Sequence, residues 1–211
     1  MSVLAQLNEA VQKGKAKDAK EFVIKAIEQK IAPKKILDEG LLTAMSVVGT
    51  KFKNNEIFVP EVLISARAMN MAAAELKPHL VKAGVKPIGK AIICTVKGDL
   101  HDIGKNLVRM MLEGAGLEVL DLGVDVAAEK VVEAVKESGA KVVCLSSLLT
   151  TTMMAQKDVI EALKAAGVRK KVKVMVGGAP VTTEFAKSIG ADAYTADAAS
   201  AAEVAKSYFV S

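Results

Sequence analysis

Over the first stretch of the chain, to about residue 80, apolar positions recur at three- and four-residue spacing. Leu4, Leu7 and Val11, then Phe22, Val23, Ala26 and Ile27, alternate with Lys, Glu and Gln. That is the period of helices with one buried face. Pro33 is placed to open a third helix through Ile36, Leu37, Leu41, Leu42, Met45, Val48 and Phe52, since a proline at the first helical position forfeits no internal bond. Asn54-Asn55 makes the turn, and Pro60 begins a fourth helix from Glu61 to about Leu76, its acidic first turn favoured by the helix dipole. Four helices on short turns predict a small antiparallel bundle over 1–80. Pro78, Gly84 and Pro87 break the pattern, so 81–89 reads as a Lys-bearing linker.

From residue 90 the period changes. Short apolar runs at Ala91–Val96, Glu118–Leu122, Lys141–Ser146 and Val172–Val176, with a weaker one at 192–195, alternate with helical stretches near 104–115, 127–138, 153–166, 181–188 and 198–208. Strand and helix alternating at this spacing predict a parallel sheet covered on both faces. Over 90–211 the expectation is therefore a doubly wound, flavodoxin-like α/β domain of five strands, with strands 1, 3 and 4 side by side. Ligands of such sheets bind beyond the carboxyl ends of the strands, at the switch point.

Composition narrows the classes of function. The 211 residues are 51% apolar and 25% charged, as in a folded globular protein. Aromatics make up 3%, with no Trp, which argues against a stacking platform for nucleic acid. The net charge of +5 is spread without a basic block. No apolar run approaches the ~18 residues that span a bilayer, and the start lacks an export signal. Cys94 and Cys144 sit inside apolar runs like reduced buried thiols. A cytoplasmic protein with neither a nucleic-acid nor a membrane partner is expected.

The loops at the predicted mouth carry the chemistry. After strand 1 comes Gly98-Asp99-Leu100-His101-Asp102-Ile103-Gly104; after strand 3, Ser146-Ser147-Leu148-Leu149-Thr150; after strand 4, Gly177-Gly178-Ala179-Pro180. One histidine without clustered Cys or carboxylates cannot build a zinc site, which takes three or four ligands. A single imidazole can supply one axial ligand to a metal already held by a macrocycle. Asp99, two residues from His101, can accept the second ring N–H and fix the tautomer. Ser146 is placed to hydrogen-bond Asp99 in turn. Gly104, without a Cβ, lets a bulky group approach the next helix.

Asp99-x-His101-x-x-Gly104, Ser146-x-Leu148 and Gly177-Gly178 resemble the three-part signature of domains that bind cobalamin with its own base off and a protein histidine on. The pieces stand 45 residues (His101 to Ser146) and 31 residues (Ser146 to Gly177) apart. The first half is similar to the helical cap of methyl-transfer corrinoid proteins, through Met45-Ser-Val-Val-Gly-Thr-Lys-Phe52, Ile57-Phe58-Val59-Pro60-Glu61-Val62-Leu63 and Ser65-Ala66-Arg67-Ala68-Met69. The whole chain thus resembles the small corrinoid proteins of anaerobic O-demethylase, methylamine and methanol methyltransferase systems, and more distantly the cobalamin module of methionine synthase. The resemblance implies a cobalamin or related corrinoid cofactor with His101 as lower ligand to cobalt, Asp99 holding His101, and Ser146 holding Asp99. It implies a buried nucleotide tail passing Gly104, Leu148, Thr150, Gly177, Gly178 and Ala199, with Gly98, Leu100 and Asp102 flanking the ligand loop and Phe52 and Val59 shielding the methyl-bearing face. It also implies a carrier that is methylated on Co(I) by a substrate:corrinoid methyltransferase, delivers the group from methyl-Co(III) to an acceptor methyltransferase, and is restored by a reductive activase.

Three other readings fit less well. A cobalamin- or light-sensing regulator would add a DNA-binding helical domain ahead of the cap, and no basic recognition helix is left over for one. The small subunit of a radical mutase shares the Asp-x-His-x-x-Gly motif but lacks a counterpart of residues 45–69. A phosphoryl receiver needs an Asp after strand 3, where Ser146-Ser147 stand.

Overall fold

The computed structural model describes Met1–Val210, and its contacts divide the chain into two compact units. One is Met1–Pro87 with Gly114–Gly116; the other is Ile88–Glu113 with the residues from Leu117 onward.

The first unit is helical. Helix α1 spans Val3–Gln12, opened by the Ser2 hydroxyl accepting from the Ala5 N–H, and α2 spans Ala16–Glu28. Their apolar stripes meet a core of Leu7, Val11, Val23, Ile36, Leu41, Met45 and Leu76. The expected third helix is built in three pieces: a turn α3 (Pro33–Lys35), a π-helical segment (Ile36–Leu42) and α4 (Thr43–Lys53). Both the amide and the hydroxyl of Thr43 bond to Asp38 O, five residues back, the spacing that defines the wider helix. Helix α5 spans Val59–Lys82 and is longer than the sequence predicts. Pro78 lies inside it rather than ending it, because the seven buried side chains that α5 contributes, from Val62 to Leu76, hold the helix and only one backbone bond is forfeited at the proline. The helix therefore occupies part of the stretch expected as linker.

The second unit is a five-stranded parallel sheet: β1 (Lys90–Thr95), β2 (Glu118–Asp121), β3 (Val142–Ser146), β4 (Lys173–Gly177) and β5 (Ala193–Tyr194), in the order β2-β1-β3-β4-β5. Between them run α6 (Ile103–Gly114), α7 (Ala128–Ser138), α8 (Met154–Ala165) and α9 (Thr183–Ile189), and α10 (Ala198–Ser207) follows β5. Ile92, Cys94, Val143, Leu145, Val174 and Val176 form one core with α7, α8 and α9. Alternation along the strands leaves Ile93, Cys144 and Met175 for the opposite face. Register aligns Thr95 with Ser146 and Ser146 with Gly177, so the carboxyl ends of β1, β3 and β4 finish level. The α/β class and the expected neighbourhood of strands 1, 3 and 4 are what the structure shows.

Candidate functional site

Three of the level strand ends carry the site. The loop after β1 is pinned from several sides. Gly98 N–H donates to Asp125 Oδ1 (2.7 Å), the Thr95 hydroxyl donates to His101 O (2.7 Å), and Asp125 N–H donates to Asp99 O (3.0 Å). These bonds bury Asp99 completely while leaving the His101 side chain 54% exposed. The pairing of a buried carboxylate with an open imidazole is what an oriented ligand needs.

Asp99 is saturated. Its Oδ1 accepts from the His101 backbone N–H (3.0 Å) and from His101 Nδ1 (2.9 Å). Its Oδ2 accepts from Leu148 N–H (2.7 Å) and the Thr152 hydroxyl (2.9 Å). Burial alone would raise the Asp99 pKa. The N–H groups of Leu148 and His101, the His101 ring and Thr152 outweigh it and hold the carboxyl well below its ordinary value. A carboxylate only accepts, so Nδ1 carries a proton, and the neutral ring has its lone pair on Nε2. Among the described residues Nε2 has no hydrogen-bond partner. The Asp99 contact at Nδ1 sets the orientation of the ring and leaves Nε2 open.

The expectation for Ser146 is corrected. Ser146 pairs with Thr95 in the sheet, and its backbone carbonyl accepts from Val96 N–H, but its side chain does not hold Asp99. The hydroxyl that does is on Thr152, six residues on, where the loop after β3 has turned back over the end of β1. The Thr150-Thr151-Thr152 run held the right chemistry, but spacing alone did not say which hydroxyl returns to Asp99. The same fold brings in Leu148 through its main chain, which no side-chain pattern could reveal.

The remaining expected residues fall as follows. Gly98, Leu100, Asp102 and Gly104 share the β1–α6 loop and the start of α6; Leu148 and Thr150 lie on the β3–α8 loop; Gly177 and Gly178 end β4; Ala199 is buried in α10. Leu100, Ile103, Leu148 and Leu149 are exposed apolar residues on the two loops that meet at Asp99. A Cβ built on Gly104 meets nothing within 4 Å, so packing within the chain does not require glycine there and open space lies above it. Phe52, near the end of α4, and Val59, the first residue of α5, are half-buried in the helical unit. No cluster of three or more His, Cys, Asp or Glu able to hold a bare metal ion occurs among the described residues. These features fit a corrinoid, which brings its own metal cage and needs one imidazole and an open apolar approach.

Such a sheet, offering one oriented imidazole at its carboxyl edge, defines a class of macrocycle-binding α/β proteins. The B12 binding domain family matches residues 89–205, and a second B12 binding domain family matches residues 3–77. The chain belongs to the family of B12-binding corrinoid proteins. It is 43% identical over 190 residues to dimethylamine corrinoid protein 3 of Methanosarcina acetivorans, covering 89% of each chain. Among solved structures it is similar to a methanol:cobalamin methyltransferase complex, MtaBC, of Methanosarcina barkeri (TM-score 0.88, 32% identity, 99% of this chain and 80% of that one). It is also similar to a cobalamin-binding protein from Desulfitobacterium hafniense DCB-2 (TM-score 0.81, 32% identity, 99% and 98%). The cofactor is cobalamin or a related corrinoid.

Proposed function

We propose that this protein is a methyl carrier that binds its corrinoid with the cofactor's own base displaced and His101 in its place. It receives a methyl group from a substrate:corrinoid methyltransferase and hands it to a second methyltransferase. The observation that carries this reading is His101 itself, exposed, tied through Nδ1 to a buried and saturated carboxylate, with Nε2 unpartnered. Bound there, the corrinoid supplies a cobalt centre nucleophilic enough to accept a methyl group and a bond weak enough to release it.

The chain's own residues do the rest. Asp99 keeps the proton on Nδ1 and so keeps Nε2 free to ligate. Leu148 N–H and Thr152 keep Asp99 ionised and fixed. Leu100, Ile103, Leu148 and Leu149 give an apolar bed that excludes water below the macrocycle. Gly104, Leu148, Thr150, Gly177, Gly178 and Ala199 are the candidates to line the route of the displaced tail, and Phe52 and Val59 to shield the opposite face. The dimethylamine relative favours a methylamine as donor over methanol or a methoxylated aromatic. The MtaBC complex supports a methyltransferase as partner. An acceptor methyltransferase, a reductive activase and a cytoplasmic setting complete the reading. No helix among the described residues is long and apolar enough to cross a membrane.

Reconstitution with hydroxocobalamin tests it. A stoichiometric coloured complex is expected, whose Co(II) form shows a ¹⁵N doublet in its electron paramagnetic resonance spectrum when the protein carries ¹⁵N-histidine. His101→Ala is expected to abolish that doublet while retaining some corrinoid. A doublet that survives His101→Ala removes His101 as the ligand.

A further inference from the structure

Beyond Asp99 and Thr152 the hydrogen-bonded chain has another member. Ser147 is fully buried, and its hydroxyl lies 2.8 Å from Thr152 Oγ1. Each of these two hydroxyls carries one proton and has more than one acceptor in reach. Thr152 can donate to Asp99 Oδ2 (2.9 Å) or to Leu149 O (3.0 Å). Ser147 can donate to Thr152 Oγ1 or, at 3.3 Å, to Leu149 O. Thr152 donating to Ser147 Oγ at 2.8 Å would leave its oxygen facing the acceptor-only Asp99 carboxylate at 2.9 Å with no proton between them, so one assignment satisfies the carboxylate. Ser147 donates to Thr152, and Thr152 donates to Asp99. A hydroxyl that accepts one bond donates a stronger one, so Ser147 both directs and strengthens the Thr152 contact.

The backbone of Ser147 is held in turn by the end of β4. Its N–H donates to Gly177 O (3.1 Å). Gly178 packs so closely that a Cβ there would lie 1.7 Å from Ser147 O. The Gly177-Gly178 pair is therefore the seat of Ser147, in addition to any part it plays as a wall for the cofactor.

We propose that Ser147 is a positioning residue for the cobalt ligand, acting on His101 through Thr152 and Asp99, with Gly177 and Gly178 fixing it in place. This rests on His101 being the ligand, as argued above. Without the Ser147 hydroxyl, Thr152 is free to turn to Leu149 O, Asp99 loses one of its four donors for part of the time, and the imidazole is held less firmly.

The test uses the corrinoid-loaded protein, ¹⁵N-labelled at histidine, and reads at fixed pH the fraction of Co(II) centres with the nitrogen doublet. Urea unfolding of each apo-variant is measured alongside. Ser147→Ala is expected to lower the equilibrium constant for imidazole ligation about threefold, the scale of one weakened hydrogen bond. Thr152→Val is expected to lower it more, and the double variant no further than Thr152→Val alone. Ser147→Thr, which restores a hydroxyl, is expected to recover ligation and keeps the test decisive should the alanine variant fold poorly. Ligation unchanged in Ser147→Ala, or effects of the two single variants that add in full, overturns the proposal. If His101→Ala itself leaves the doublet in place, it is the ligand assignment that has failed; if the doublet depends on His101 but not on Ser147, only this inference has.

Discussion

The hydroxyl of Thr152 lies 2.9 Å from Oδ2 of Asp99, although the two residues stand 53 positions apart. One neutral donor to a buried carboxylate is worth more than an average hydrogen bond, because its loss leaves charge without a partner. Thr152→Val, which keeps the shape and removes the donor, is expected to destabilise the apo-protein by about 1–3 kcal/mol in urea unfolding. Thr152→Ser is expected to cost much less. Equal losses for the two variants would show that the methyl group, not the hydroxyl, matters at this position.

Two glycines of the site are expected to respond oppositely to the same change. Gly178 has φ +128°, and its Cβ would overlap the Ser147 carbonyl, so Gly178→Ala is expected to lose at least ~3 kcal/mol or to fail to fold. Gly104→Ala has open space and is expected to fold with a near-normal urea midpoint. A larger residue, Gly104→Leu, is expected to fold but to weaken corrinoid binding at least tenfold by titration. Normal affinity in that variant would mean that the space above Gly104 is not used.

Burial pushes both thiols up to about 12, Cys94 through loss of solvation and the nearby Asp121 charge, Cys144 through loss of solvation and Cys94. Neither is then a thiolate near neutrality. Native apo-protein at pH 8 is expected to resist a thiol-specific reagent, with two equivalents reacting once urea unfolds the chain. Rapid labelling of the native state would contradict the packing of β1 or β3.

Asp192 joins the start of β4 to the turn before β5. Burial acts to raise its pKa, but the Val174 N–H, the Arg169 guanidinium and the Lys173 ammonium outweigh it and hold the carboxyl below its ordinary value. A lowered folded pKa contributes stability that is present above the unfolded value, about 3.9, and is lost as pH falls below it. Asp192→Asn is therefore expected to cost about 1–2 kcal/mol at pH 7. The gap to the parent protein should shrink progressively below about pH 4. A gap that stays constant down to pH 3 would assign the effect to shape rather than charge.

Pro78 in the interior of α5 lacks an N–H and crowds the preceding turn. Replacing it by Ala restores one backbone bond, offset in part by the freer unfolded chain. A net gain of about 1–2 kcal/mol in the unfolding of the apo-protein is expected. A loss instead would show that the proline has a packing role outweighing its backbone cost.

Periodicity was sufficient to separate a helical first half from an alternating second half, because it reflects which face of each element is buried. The same run of strands predicted the order in which β1, β3 and β4 stand together, since right-handed crossovers leave few alternatives. The Asp99–His101 pair was also legible, because two residues on one tight loop meet through local geometry alone. The π-helical segment of 36–42 and the passage of α5 through Pro78 were not, since both depend on packing that outweighs local preference. Nor was Thr152, because which hydroxyl reaches Asp99 depends on how the chain after β3 folds back across β1. The close approach of Gly178 to the Ser147 carbonyl is likewise a contact between the ends of two strands, which spacing along the chain does not encode. The sequence alone determined the type and order of most elements and the pairing of Asp99 with His101. Tertiary structure decided which donors saturate Asp99, because hydrogen bonds between distant segments are chosen by distances of tenths of an ångström that no spacing along the chain encodes.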